Sequence, residues 1–465
     1  MISKQLALDV INYATSTGAD FAEIFYEDST SKVITVENDK VDSVNSSNIN
    51  GVGLRLLKGT KSVYGSTSDL SRKSLIALAD TLAKYFEGER VLEKITEFTK
   101  VPVKRIHKKY TSVFSVPTQD VIDYLKKATS IVKDYSAEVR KSNATMIMKE
   151  SKIVIFNSDG KTYSDHKEYG RLALQSIAGN ETGIQAKFDG PGAQGGWEFF
   201  TNQLNIEELA KKHAEKLILM LHARECPSGK FPVVIGNGWG GVIFHEACGH
   251  GLEASSVSKN LSVFSGKKGT KVGSDILNAY DDGTIDGAWG SSNFDDEGNK
   301  TQCNQLIKNG VLTSYLVDNF NGRAMGEKGN GACRRESYKF EPTSRMSNTF
   351  IGNGTSTKEE IIASTKYGLY AASLGGGSVN PTTGDFNFAV NEGYLIEDGK
   401  ITKPVRGATL IGNGASVLFN IDMIASNLRR EQGMCGASSG SIPADVGQPT
   451  IRVSRMTVGG TGGSK

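Results

Sequence analysis

Two histidines, His245 and His250, bracket a glutamate in Phe244-His245-Glu246-Ala247-Cys248-Gly249-His250-Gly251-Leu252-Glu253. Neutral imidazole is a favoured zinc ligand, and a carboxylate beside an activated water can take its proton. The pattern His-Glu-x-x-x-His therefore points to a metal-dependent hydrolase, with Glu246 as its general base. Chance is a poor source for it. Six histidines in 465 residues give about 0.08 pairs at one fixed spacing. Requiring one of the 51 acidic residues after the first lowers this to about 0.01.

The common zincin spacing is i and i+4, on one face of an α-helix. Here it is i and i+5, which separates the side chains by about 140° on a regular helix. A π-type turn brings them back to one face. Gly249, a residue that helix interiors avoid, stands beside His250. The spacing predicts such a wide turn over residues 247–250, with Glu246 beside the metal rather than on it.

Two histidines do not complete a catalytic zinc site, which takes three protein ligands and an open position. Cys248 lies at i+3 from His245. Cys435 lies in Gly433-Met434-Cys435-Gly436, which reads as a flexible, glycine-bracketed loop. Residue chemistry alone leaves both thiols open as ligands. His213 and His222 fall on a helix that reads as a surface element, and both are expected to be solvated. Glu253, three residues past His250, is a candidate partner for a ligand imidazole. Arg334, Arg335 and Tyr338 are candidates for binding a substrate carboxylate or an oxyanion, although such clusters are more often structural salt bridges. Leu374-Gly375-Gly376-Gly377-Ser378 could leave a strand edge open to an extended peptide, or form a plain bulge. Gly266-Lys267-Lys268-Gly269-Thr270-Lys271 lacks the spacing of a phosphate-binding loop.

The elements that position these residues follow from periodicity. Helices are expected over 4–17, 70–86, 118–135 and 206–222, with strands over 21–26, 32–36, 51–57 and 61–64. A hairpin over 146–156 and 161–178 turns at Asn157-Ser158-Asp159-Gly160. The breaker cluster Cys226-Pro227-Ser228-Gly229 predicts a domain boundary. The expected fold is α+β in two domains. Residues 1–225 form a mixed α/β domain, and residues 226–465 a mainly antiparallel β domain carrying the metal-site helix. A net charge of +3 supports neither nucleic-acid nor membrane binding. Five irregularly spaced cysteines argue against a disulfide framework and for a reducing, cytoplasmic setting. No signal peptide is visible, and the longest apolar run, 217–221, is too short to span a bilayer.

The stretch His245–Glu253 resembles the signature of the TldD/PmbA family of metallopeptidases, on its TldD side. The segments Asp281-Asp282-Gly283-Thr284, Asp295-Asp296-Glu297-Gly298, Arg334-Arg335-Glu336-Ser337-Tyr338, Pro342-Thr343-Ser344-Arg345-Met346-Ser347 and Val446-Gly447-Gln448-Pro449-Thr450 are similar to that family in the same order. The resemblance implies a zinc ion held by His245, His250 and Cys435, with Glu246 as general base. It implies a cytoplasmic protease acting on unfolded or short peptides inside a cavity. It also implies a homodimer, or a heterodimer with a PmbA/TldE-type paralogue that lacks the motif. Two other classes stay in view. One is a non-catalytic peptide-binding or assembly subunit with a structural zinc. The other is a zinc amidase acting on small molecules.

Overall fold

The structure, a computed structural model, describes residues 1–463 other than 182 and 381. Its first sheet grows from two long antiparallel hairpins. Phe21–Glu37 pairs with Lys40–Lys58 from Phe21 opposite Leu57 to Glu37 opposite Lys40. Sequence periodicity breaks this hairpin into shorter strands, because residues 40–50 are largely Ser, Asn and Asp, exposed, and poor strand formers. The turn overrides that preference. Asn38 and Asp39 both take positive φ, 46° and 69°, the two-residue geometry whose twist matches a hairpin. The second hairpin, Val139–Asn157 with Lys161–Asn180, turns where expected. It joins the first through Val139–Asn157 beside Phe21–Glu37, within one eight-stranded sheet.

Two helix pairs cover this sheet with separate cores. Lys4–Ala14 and Arg72–Ala83 pack with Ile24, Leu54 and Leu56. Thr118–Tyr135 and Ile206–Leu221 pack with Ile34, Met146 and Leu172. Each helix presents an apolar stripe at the 3.6-residue period. Ser3, Ser71 and Asn205 accept the freed N–H groups of three of them.

The remainder is strand-rich, and the fold as a whole is α+β. Tyr367–Val379, Gly229–Ile235, Ile451–Gly459, Thr409–Asn413 and Asp385–Glu397 follow one another in a sheet that closes on itself, because the first and last also pair. A six-stranded sheet ends in Gly440–Gln448 and Arg429–Ala437. The helical segment around His245 shares one large apolar core with both sheets, through Ile243, Phe244, Leu252, Leu410 and Val446. Among the described residues no helix is long and apolar enough to cross a membrane.

Candidate metal centre

Three short helical turns of different pitch carry the histidines. An α-turn, Val242–Phe244, runs into a π-turn, His245–Gly249, closed by the His250 N–H on the His245 carbonyl. A 3-10 turn, His250–Leu252, follows, and Glu253 leaves the helix with extended backbone. The widened turn that the i, i+5 spacing requires is therefore present, beginning two residues earlier than expected. Gly249 has a different reason from the one suggested by sequence. Its backbone is ordinary right-handed helix, but a Cβ there would stand 2.2 Å from the Met346 sulfur. Gly241 likewise lets the helix start abut the Gly447 backbone, where a Cβ would lie 2.5 Å from the carbonyl. Gly447 belongs to Gly440–Gln448, the strand paired with the one that carries Cys435. Close backbone approach thus brings helix and thiol together.

Cys435 sits in the regular strand Arg429–Ala437, opposite Ile442, and not in a flexible loop. Alternation along the strand turns Gly433 and Cys435 inward and leaves Met434 half-exposed. Gly433 faces the Trp239 ring, and no neighbour crowds Gly436.

The side chains converge. His245 Nε2 lies 3.2 Å and His250 Nε2 3.4 Å from the Cys435 sulfur. All three donor atoms lie within 4.8 Å of one another, the one such His/Cys/Asp/Glu group among the described residues. Donors bound tetrahedrally to zinc at about 2.0–2.3 Å stand about 3.5 Å apart, so this set fits that ion. Burial would raise the Cys435 thiol, but the imidazoles of His245 and His250 outweigh it and bring the pKa down to about 3. The sulfur is thus held as thiolate, the form that binds metal. Burial would lower the His250 ring, yet Glu253 and Cys435 hold it well above its ordinary value.

Glu246 and Glu253 take different places. Glu246 Oε2 is 3.7 Å from His250 Nε2, and its side chain is one-third exposed. It borders a cavity of about 240 Å³ with His245, Trp239 and Cys435. Glu253 is buried and its Oε2 lies 3.1 Å from His250 Nδ1. Arg345, to which the sequence reading assigned no role, is completely buried behind both arms of the site. Its guanidinium donates to the Cys435 carbonyl and to Ser439 and Gly440 in the adjoining turn, with Nε 3.9 Å from Glu253 Oε1. The sequence held little signal for this, since Arg345 lies among the small polar residues Thr343, Ser344 and Ser347.

The other candidates lie elsewhere. Cys248 is in the apolar core, where burial pushes its thiol far up, and it is not part of the donor group. Arg334, Arg335 and Tyr338 do not line the cavity at His245. Arg334 donates to the Met346 carbonyl at 2.7 Å. Arg335 pairs with Glu23 at 2.6 Å and lies over the Phe25 ring. Tyr338 packs with Phe25 and Ile155, and its N–H donates to Glu27. With Arg55, bridged to Glu23 and Glu297, Arg335 and Tyr338 brace the junction between the first sheet and the strand-rich region, whereas the Arg334 bond stays within the latter. Arg335 thus forms a buried salt bridge of the kind the cluster's composition suggests. His222 is exposed and meets Glu138, but His213 is fully buried, 2.6 Å from Asp189. It was expected in solvent. The helix instead buries that face against the strand Gly183–Asp189.

Comparison with known proteins places these features in a wider set. Three profiles match in order: PmbA/TldA metallopeptidase domain 1 at residues 22–85, its central domain at 112–221, and its C-terminal domain at 228–460. The "Metalloprotease TldD homolog" of Haemophilus influenzae is 34% identical over 99% of this chain and 97% of its own. That of Buchnera aphidicola from Acyrthosiphon pisum is 33% identical over 95% and 93%. A "Zinc metalloprotease TldD homolog" of Saccharolobus solfataricus is 24% identical over 97% and 99%. In fold, the chain is similar to a putative modulator of a DNA gyrase from Thermotoga maritima, with TM-score 0.78, 21% identity, and 98% and 99% of the two chains covered. TldE from Thermococcus kodakarensis gives TM-score 0.76 at 17% identity over 97% and 99%.

Proposed function

Because the chain belongs to the TldD/PmbA metallopeptidase family, we propose that it is a zinc-dependent peptidase hydrolysing unfolded or short peptides, with His245, His250 and Cys435 as metal ligands and Glu246 as general base. The observation that carries this reading is the convergence of two imidazoles on one thiolate, with the Glu246 carboxylate beside them at an open cavity. Zinc held there supplies Lewis-acid activation of water and of a peptide carbonyl. Glu246 takes the proton of the attacking water and returns it to the leaving amine. Glu253 fixes the His250 ring through Nδ1, leaving Nε2 turned to the thiolate.

A peptide in extended form suits the cavity wall. The parallel partner of Tyr367–Val379 reaches only residues 369–371, so that edge of residues 372–379 is unpaired by Gly229–Ile235, and 375–379 line the cavity. Backbone pairing to such an edge tolerates many sequences. A structural zinc site would be closed by a fourth protein ligand; the donor group has three members among the described residues. We further infer that the protein works in the cytoplasm as a homodimer, or with a PmbA/TldE-type paralogue, as the catalytic member. We keep residues 1–225 as one unit, since a single sheet spans most of it, and 226–465 as the peptidase unit.

The test is metal analysis and peptide hydrolysis for wild type, Glu246→Gln and Cys435→Ala, each alone and with the paralogue. Glu246→Gln should keep zinc and lose at least about 100-fold in kcat. Undiminished hydrolysis by that variant would sink the general-base assignment. A zinc-loaded wild type inactive on every peptide, with and without the paralogue, would sink the peptidase reading.

A further inference from the structure

A second cavity, about 580 Å³, adjoins the one at the metal centre, and Trp239, Gly375 and Gly376 form wall in both. Its size falls within the range of about 300–1,000 Å³ usual for ligand pockets. Its apolar lining comes from distant parts of the chain: Phe188 and Leu209 from the first half, Trp239 and Leu374 from the second. Phe188 is 49% exposed, a large aromatic surface left without a full set of neighbours.

The charges in the wall are already matched. Lys187 pairs with Asp189 at 3.3 Å and Lys216 with Glu392 at 2.7 Å. Arg429 and Arg430 lie 3.5 Å from Glu431 and Asp445. An apolar guest gains burial against Phe188, Leu209, Trp239 and Leu374 without disturbing these pairs.

The wall shared by the two cavities includes a glycine that packing does not require. At Gly375 a Cβ would stand 2.4 Å from Asn391 Oδ1, and at Gly377 2.3 Å from the Asn387 carbonyl. The second contact is with backbone, so packing demands glycine at 377, while the first is with the side chain of exposed Asn391. At Gly376 a Cβ would meet nothing within 4 Å, and its φ is not positive. Gly376 also lines both cavities, so a large side chain there has open space to fill at the wall they share.

We propose that the larger cavity is a substrate subsite for an apolar side chain near the scissile bond, and that Gly376 keeps the passage to it open. This rests on the peptidase reading above and adds to it a selection for apolar peptide segments. The test uses the zinc-loaded full chain, with its paralogue where activity needs it. The probes are internally quenched octapeptides carrying Phe or Asp at each of the three positions on either side of the cleaved bond. Wild type should favour Phe over Asp at least tenfold in kcat/KM at one of these positions. Gly376→Phe should lower kcat/KM for the favoured peptide at least tenfold, with zinc content and the cobalt(II)-substituted absorption spectrum unchanged. Phe188→Ala, which alters a half-exposed residue, should shrink the Phe-to-Asp ratio at that position and no other. Equal rates for Phe and Asp at every position would overturn the subsite while leaving the peptidase reading intact. So would wild-type rates and ratios in both variants. A zinc-loaded wild type that cleaves none of the peptides would overturn the peptidase reading instead.

Discussion

The guanidinium of Arg345 donates to the main-chain carbonyl of Cys435, from a position with no solvent exposure. The same group reaches toward Glu253, which in turn holds His250. One buried cation therefore ties the strand that carries the thiolate to the carboxylate that orients an imidazole. Removing it would leave the buried Cys435 carbonyl and Ser439 without their donor, at about 1–3 kcal/mol. Arg345→Met should lower stability by about that amount and weaken zinc binding about 10–100-fold. The thiolate-to-metal band of the cobalt(II) form should shift as well. Arg345→Lys should fall between, since it keeps the charge but loses the fork. Chelator competition and denaturant unfolding read the two effects separately, and wild-type zinc affinity in Arg345→Met would refute the tie.

The two cysteines nearest the motif should separate cleanly. Cys435→Ala should abolish stoichiometric zinc binding. Cys248→Ala should keep one zinc and lose about 1 kcal/mol for a small core void. Metal content of the purified variants, measured by mass spectrometry, decides between them.

Gly249 is required by its neighbour. Gly249→Ala should cost about 1–3 kcal/mol by overpacking against Met346. In a Met346→Ala background the same substitution should cost less, and thermal unfolding of the four-member cycle measures that coupling. Equal costs in both backgrounds would show that the helix conformation, not Met346, dictates glycine.

Asp445 links stability to pH. Burial raises its carboxyl to about 6, against Arg430 and Gln432, from an ordinary value of 3.8. The folded protein therefore binds the proton more tightly than the unfolded chain, and this group's contribution is lost as pH rises from about 4 to 6. Asp445→Asn should remove that dependence. The difference in Tm, variant minus wild type, should rise across this window and stay level above it. A pH-independent difference would contradict the assignment.

Local sequence determined much of the metal-binding helix. His245, Glu246 and His250 at i, i+1 and i+5 admit few backbones that gather both rings, and the π-turn is one of them. The helices and the hairpin at Asn157-Ser158-Asp159-Gly160 were also legible, because periodicity and turn chemistry act over a few residues. The single long hairpin Phe21–Lys58 was not, since its pairing outweighs weak propensity in residues 40–50. Residue chemistry left Cys248 and Cys435 open, and resemblance to a family singled out Cys435. Tertiary structure decided what no local pattern encodes. It set Cys435 on a regular strand 190 positions from His245, put Arg345 behind it, and turned Arg335 and Tyr338 to the junction with Glu23 and Glu27. It also buried His213 against Asp189. A residue's type states which contacts it can make. Which contact it does make depends on the strand or helix that folding places opposite it.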